Sequence, residues 1–401
     1  EPFVCKLVPA VAECMGAAFP ELKKNPQRVA EIVRDEETSF IKTLDRGIAL
    51  FEQAAEYAVK HHHGRIGGED AFKLHDTYGF PVDLTELMAE ERGLTVNIGE
   101  YERLMEEARD RARASGKSGH VTLAAFPPDL ASALPNTNER PKYEIDSIEA
   151  IATAVLRINE DGTVQLITGN NALCVNESGA LVLDATCFYG EQGGQVGDRG
   201  AITAGSEQED LFDVEDTVRV GTALLHVGRV RRGAFGIGEP VVLRVDSSRA
   251  RTMLNHTATH VMNWALRKVL GEHVQQKGSL VDPDKTRFDL SHPAAITNDE
   301  LARIEQLTNE QIGKDLPVHT NDNVPVDQKA AMKINGLRAV FGEKYPEHVR
   351  VVSIGVPVQD LLTKPDNPEW RKYSVEFCGG THVKRTGEIG KFHLIEESAV
   401  A

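Results

Sequence analysis

No stretch of the 401 residues approaches the roughly 18 consecutive apolar positions of a membrane-spanning helix, so no such helix and no membrane partner is expected. The opening EPFVCKLVPAVAECMGAAFPEL lacks the basic start and small-residue cleavage site of a secretory signal, and lacks an initiating Met. It reads as a helix entered part-way, while the final IEESAVA has neither cap nor polar tail; the chain is read as a piece of a longer one. Positive charge is scarce, with 45 Lys and Arg against 61 Asp and Glu, a net charge of −16. Phosphate contacts need Lys and Arg, so the bulk charge argues against a nucleic-acid partner, although a local basic patch survives on an acidic protein. Cysteine is sparse too. Cys5, Cys14, Cys174, Cys187 and Cys378 are odd in number and widely spaced, which points to reduced thiols in a cytoplasmic setting and leaves a metal or catalytic role open to one of them. No internal repeat is present.

The content that remains, 41% hydrophobic and 26% charged, fits a globular chain, and its length predicts two or three domains. Residues 1–120 read as helical. Apolar residues recur at Val29, Val33, Phe40, Leu44, Ile48, Phe51 and Ala55, close to helical spacing, and a further helix from Asp83 or Leu84 is closed by Gly93. A last helix from about Ile98 to Ala114 ends in Arg109, Arg111 and Arg113, which suit either a helix C-terminus or RNA. Composition then shifts to Gly, Ser, Pro and Asn, and residues 121–142 read as a linker. Residues 143–246 carry short β-rich runs (IATAVLRI, TVQLIT, ALVLD, ALLHVGRV, PVVLRV) at a spacing that predicts a small β-barrel. Residues 247–401 mix helices at 252–270 and 299–314 with strands at 286–290 and 350–354, an α+β domain. The predicted fold class is thus multidomain: an α-helical N-terminal part, a β-barrel, then an α+β domain.

Two short strings carry chemistry. NHTATH places His256 and His260 four residues apart in a helical stretch, so both imidazoles lie on one face, as two metal ligands from one helix should. FCGGTH adds Cys378 and His382 around a Gly379-Gly380 turn. The four make an N₃S donor set suited to zinc. A zinc peptidase is disfavoured, because the general-base Glu expected beside the first ligand is replaced by Thr257. His61, His62 and His63 end a polar helix and are expected to face solvent. A third string, TCFYGEQGGQVGDRG (186–200), is rich in glycine, either as barrel turns or as backbone that approaches a partner closely.

In combination, FYGEQGGQVGD, NHTATH, QKGSLV, RFDLSH and EFCGGTH resemble the editing region of alanyl-tRNA synthetase, with related zinc motifs in the threonyl-tRNA synthetase editing domain and in free-standing alanyl-editing proteins. The front of the chain, with PFVCKLVPAVAECMGAAFPEL, DEETSF and GEDAFKLHDTYGFPVDLT, is similar to the synthetase's tRNA-recognition region, which disfavours the free-standing form. The resemblance implies one Zn²⁺ on His256, His260, Cys378 and His382, inside an α+β editing domain. It implies hydrolysis of tRNA(Ala) mischarged with serine or glycine, with Gln276, Thr257 and Thr259 as candidate contacts to substrate or water. Asp289 is a possible base, a strand Asp being more often structural. Asp76 or Asp83 stands where the family reads the acceptor stem, Asp83 doubling as a potential N-cap. Arg229, Arg231, Arg232, Arg249 and Arg251 are the candidate phosphate surface, with a solvated strand face as the rival. ATP and Mg²⁺ belong to the family's aminoacylation core, which would precede residue 1. Two other classes stay open: a trans-editing hydrolase and a non-catalytic RNA-binding module with structural zinc. The oligomeric state is not legible.

Overall fold

Pro26, whose missing N–H costs nothing in the first turn of a helix, opens the longest element of the chain. The computed structural model describes residues 2–115, 126–159, 162–205, 208–292, 294–322, 324–339 and 345–398. They fall into two compact units, Glu1–Ser118 and Gly119–Ala401. The first is helical, as its periodicity requires: α1 (Val8–Met15), α2 (Pro26–His61), α3 (Gly68–Asp76), α4 (Val82–Glu91) and α5 (Ile98–Ser115), with a two-residue parallel pair of β1 (Arg65–Ile66) and β2 (Thr95–Val96). Phe51, Ala55 and Ala58 of α2 meet Ile66, Leu74 and Phe80 in its core. His61, His62 and His63 are exposed.

The second unit takes in the whole stretch read as linker. Its residues 121–125 lie outside the described residues. Beyond them come α6 (Pro128–Ala133) and a 3-10 turn over Arg140–Tyr143, and Phe126 and Leu134 are buried against the barrel that follows. That barrel is built from β3 (Ser147–Ile158), β4 (Val164–Leu166), β5 (Ala172–Cys174), β6 (Ser178–Leu183), β7 (Gly200–Ala204), β8 (Asp210–Val220), β9 (Ala223–Arg232), β10 (Ala234–Gly236) and β11 (Pro240–Val245). Six strands close a ring in the order β3-β11-β7-β8-β9-β6, because β11 pairs with both β7 and β3; β4 extends it beyond β3, and β5 pairs with β10 apart from it. Successive side chains of a strand point to opposite faces. Leu181 and Leu183 of β6 therefore enter one cluster with Phe188, Ile202, Phe212 and Leu243, whereas Ala180 and Val182 enter another with Phe126 and Leu134. Burial on both faces explains why β6 reads as an unbroken apolar run. In β8 two register shifts, at Leu211/Phe212 and Val214/Asp216, bend a long strand around the ring.

His226 of β9 lies within this wall. Its Nδ1 donates to Leu181 O at 3.0 Å and its Nε2 accepts from Thr186 Oγ1 at 2.7 Å, the arrangement of a neutral ring. Burial pushes its pKa down to about 4, against the weaker opposing pull of the Leu181 carbonyl. The unfolded chain takes up a proton near pH 6.5, the folded one only near 4, so this residue's contribution is full above 6.5 and lost as pH falls through that window. The loss amounts to about 3 kcal/mol. Urea denaturation of the wild type at pH 7 and pH 4.5, beside His226→Gln, checks it: equal pH dependence in the two proteins would acquit His226.

The remainder of the second unit is α+β. Helix α7 (Ser248–Leu270) begins four residues before the expected start and packs on α8 (Asn298–Gly313), whose Thr297–Glu300 capping box satisfies orphan N–H groups at its start. Strands β12 (Gln275–Val281) and β13 (Thr286–Ser291) form a hairpin. Then come β14 (Val318–Thr320), β15 (Val326–Asp327), β16 (His348–Val349), β17 (Val351–Ile354) and β18 (Ser374–Phe377), with β17 central to a β14-β17-β18 sheet and β15 paired with β16. The glycine-rich loop of the barrel reaches this part directly: Val281 donates to Gly194 O at 2.8 Å and Val196 to Val281 O at 3.1 Å. Gly194 sits at φ +86°, and a Cβ there would lie 2.2 Å from Ser279 Oγ, so both conformation and space demand glycine.

Candidate metal centre

Helical spacing brings His256 and His260 onto one face of α7, their ring centroids 5.4 Å apart. Strand β18 carries the other half. Alternation along it turns Ser374, Glu376 and the following Cys378 toward α7: Ser374 Oγ donates to His260 O, Asn263 Nδ2 to Glu376 Oε1 at 2.9 Å, and Cys378 Sγ lies 3.4 Å from His256 Nε2. The Gly379-Gly380 turn then returns the chain so that His382 Nε2 is also 3.4 Å from the sulfur. A Cβ on Gly380 would stand 2.0 Å from His256 Cε1, so the turn closes on the imidazole only because it has none.

Each imidazole is oriented from behind. His256 Nδ1 donates to Gln195 Oε1 at 2.7 Å, and His382 Nδ1 lies 3.2 Å from Thr257 Oγ1. His260 Nδ1 is 3.2 Å from Glu376 Oε2, a charge contact too oblique to count as an aligned hydrogen bond. Gln195, fully buried, also accepts from Thr381 N at 2.9 Å and donates to Thr381 Oγ1 at 2.9 Å, joining the barrel loop to both ligand-bearing segments. With two Nδ1 atoms hydrogen-bonded and the third facing a carboxylate, the Nε2 side of each ring is left for the centre.

The four donors lie within 4.8 Å of one another. A tetrahedral zinc at ordinary bond lengths sets N···S edges of about 3.5 Å, close to the two observed, so the residues fit a metal ion. Electrostatics agree. Burial would raise the Cys378 thiol, but His256, His260 and His382 around it hold it well below its ordinary value, as a thiolate. His382 is pushed down to about 3 by burial, while His260, also buried, is carried up to about 9 by Glu376 and Cys378. His256 and His260 are buried, and Cys378 and His382 are partly so.

The other expected residues are distributed unevenly. Thr257 is fully buried behind His382: its hydroxyl donates to Met253 O at 2.9 Å and accepts from Val383 N at 3.2 Å, so it orients a ligand and does not face a substrate. Thr259 is buried and bonded to Asn255 O and Thr286 Oγ1. Gln276 is partly buried on β12, its amide 3.2 Å from Ser279 Oγ. Asp289 pairs with Arg287 at 3.1 Å, a structural use. The arginine surface needs one correction. Arg249 is 5% exposed and bound to Asp198, Asp146 and Cys187 O, so it is a buried tie and not a phosphate contact. Arg231 pairs with Asp213 at 2.8 Å, Arg251 stands 3.7 Å from Asp284, and Arg229 and Arg232 are exposed. In the first unit Asp76 and Asp83 are both exposed; Pro81 holds the N-cap position of α4, leaving Asp83 in its first turn. Sequence reading missed Gln195 and Glu376. Alternation two residues before Cys378 would have found the second.

A family model described as tRNA synthetases class II (A) matches residues 1–249, and one described as threonyl and alanyl tRNA synthetase second additional domain matches residues 349–401. The chain belongs to the alanyl-tRNA synthetase family. His256 and His260 lie between the two matched stretches, and Cys378 and His382 within the second. Among its relatives, the mitochondrial alanine–tRNA ligase of Saccharomyces cerevisiae is 42% identical over 408 residues, covering 100% of this chain and 40% of that protein. The alanine–tRNA ligase of Dichelobacter nodosus is 42% identical over 400 residues, covering 100% and 41%. The cytoplasmic alanine–tRNA ligase of Dictyostelium discoideum is 40% identical over 408 residues, covering 99% and 41%. The chain thus spans about two fifths of the length of these curated synthetase relatives.

Proposed function

We propose that this chain binds tRNA(Ala) and hydrolyses the ester of seryl- or glycyl-tRNA(Ala) at the His256–His260–Cys378–His382 centre, with zinc as its metal. The observation that carries the reading is the convergence of these four side chains, two of them in the stretch that matches the threonyl and alanyl second additional domain, on one point. The physical need is plain. Glycine is smaller than alanine and serine differs by one hydroxyl, so a pocket sized for alanine rejects neither strongly and a second, hydrolytic site is the remedy.

Zinc bound there would supply a fixed positive charge to polarise an ester or orient the aminoacyl group. The chain's own residues do the rest. Gln195, Thr257 and Glu376 hold the imidazoles in place, and Gln276, on the strand that the glycine-rich loop backs, offers an amide to the substrate's amine or hydroxyl. Its ester is activated by the neighbouring ribose hydroxyl, so positioning carries much of the work. Exposed Arg229 and Arg232 are the remaining phosphate contacts, and Asp76 and Asp83 the acidic candidates for the acceptor stem. A second reading, a non-catalytic RNA-binding module with structural zinc, is favoured by the complete set of four ligands, since a closed zinc has no position for water.

Incubation of seryl-tRNA(Ala) with wild type and Gln276→Ala separates the two. The editing reading expects serine release by the wild type, a loss of at least tenfold in the variant with metal content unchanged, and alanyl-tRNA(Ala) largely spared. A folded, metal-loaded, tRNA-binding wild type that releases no serine would establish the second reading.

A further inference from the structure

Gly379-Gly380 gives the Cys378 sulfur its freedom to turn toward three imidazoles, and the same freedom works against holding it there, because glycine has the most conformational entropy to lose. The turn is gripped from outside. Arg350 Nη1 donates to Cys378 O at 3.0 Å and to Gly380 O at 2.8 Å, and the Tyr143 hydroxyl donates to the intervening Gly379 O at 2.8 Å. Three successive carbonyls are thereby fixed by two side chains.

Those side chains also hold each other. The Arg350 guanidinium carbon lies 4.2 Å from the centre of the Tyr143 ring, and its Nε is bound to Asp322, so the fork cannot swing away. Arg350, just before β17, is largely buried, and its own carbonyl accepts from Cys378 N at 3.2 Å. Tyr143 arrives from the run-in to the barrel, 236 residues before its partner. Neither residue touches a metal-binding atom. Both act on the backbone that carries one.

We propose that Tyr143 and Arg350 are positioning residues that hold the Cys378–Gly380 turn in its metal-binding shape and so set how tightly the centre retains its ion. The inference rests on the metal-site reading above. A turn that must be ordered by the ion itself binds it more weakly than one ordered beforehand. Groups that orient ligands from behind typically carry tenfold to a hundredfold of metal affinity.

Tyr143→Phe removes one hydroxyl and keeps the ring. Arg350→Lys keeps the charge but cannot donate to two carbonyls in a fork and stack on the ring at once. Both would be compared with wild type by chelator competition for Zn²⁺, by the visible spectrum of the Co²⁺ form, and by thermal melting without metal. The expected result is affinity at least tenfold weaker and shifted cobalt bands in each variant, with the metal-free melting of Tyr143→Phe unchanged. Wild-type affinity and bands in Tyr143→Phe overturn the proposal, as does a loss of affinity matched by an equal loss of metal-free stability. A wild type that takes up no metal overturns the underlying site reading instead.

Discussion

Arg249→Met is expected to lower the unfolding free energy of the second unit by about 3–5 kcal/mol, the usual cost of removing one partner from a buried ion pair. Arg249 stands at the first turn of α7 with its guanidinium against Asp198 of the glycine-rich loop, Asp146 at the foot of the barrel and the Cys187 carbonyl. Methionine fills most of the space but leaves the Asp198 carboxylate, itself buried, with only the Tyr189 N–H at 2.6 Å. Burial already lifts the Asp198 pKa above its ordinary value despite Arg249 beside it. Asp198→Asn is therefore expected to cost less, since a neutral amide oxygen still accepts from Tyr189. Urea midpoints of the two single variants and the double variant measure this. An Arg249→Met protein within about 1 kcal/mol of wild type would mean that the tie contributes little to the fold.

Zinc supplied at a thousand times its dissociation constant is expected to raise the unfolding free energy of the wild type by about 4 kcal/mol, and Cys378→Ala to abolish most of that gain. Ligation would use the thiolate that three imidazoles stabilise; Cys187, the buried cysteine of the second unit, lies outside the four-donor cluster and has its thiol pushed up to about 11 by burial. In Cys378→Ala the serine release proposed for the wild type should fall with the metal. Denaturation curves with zinc and with chelator, beside metal analysis of each protein, provide the test. A Cys378→Ala protein that keeps a full equivalent of zinc and the full stabilisation would remove the thiolate from the centre.

The elements written in one local period were legible. Helix α2 and strand β11 follow their apolar spacing, and the four donor residues could be named because their types and their two four-residue intervals suffice. What local pattern does not carry was lost. Strand β8, DLFDVEDTVRV, holds Asp210, Asp213, Glu215 and Asp216 and looks polar; it is a barrel strand because Phe212, Val214, Val218 and Val220 enter the barrel clusters, while Arg231 of β9 answers Asp213 and Glu215 on the exposed side. Arg249 was taken for surface because sequence displays charge and conceals burial. Thr257 was offered to a substrate, yet its hydroxyl meets Val383 and His382, partners set by tertiary structure. Gln195 lay within a glycine run whose backbone drew notice before its two glutamines.

The long separations that join this centre have a consequence for the chain while it is being made. His256 and Cys378 stand 122 residues apart, Gln195 and Thr381 186. At about 5–20 residues per second, a ribosome needs on the order of ten seconds to pass from the helical histidines to the cysteine. During that interval the barrel strands are complete, while α7 holds only half a ligand set. The proposed metal capture would therefore be among the last events in the birth of this unit, and an ion acquired earlier would rest on two imidazoles alone.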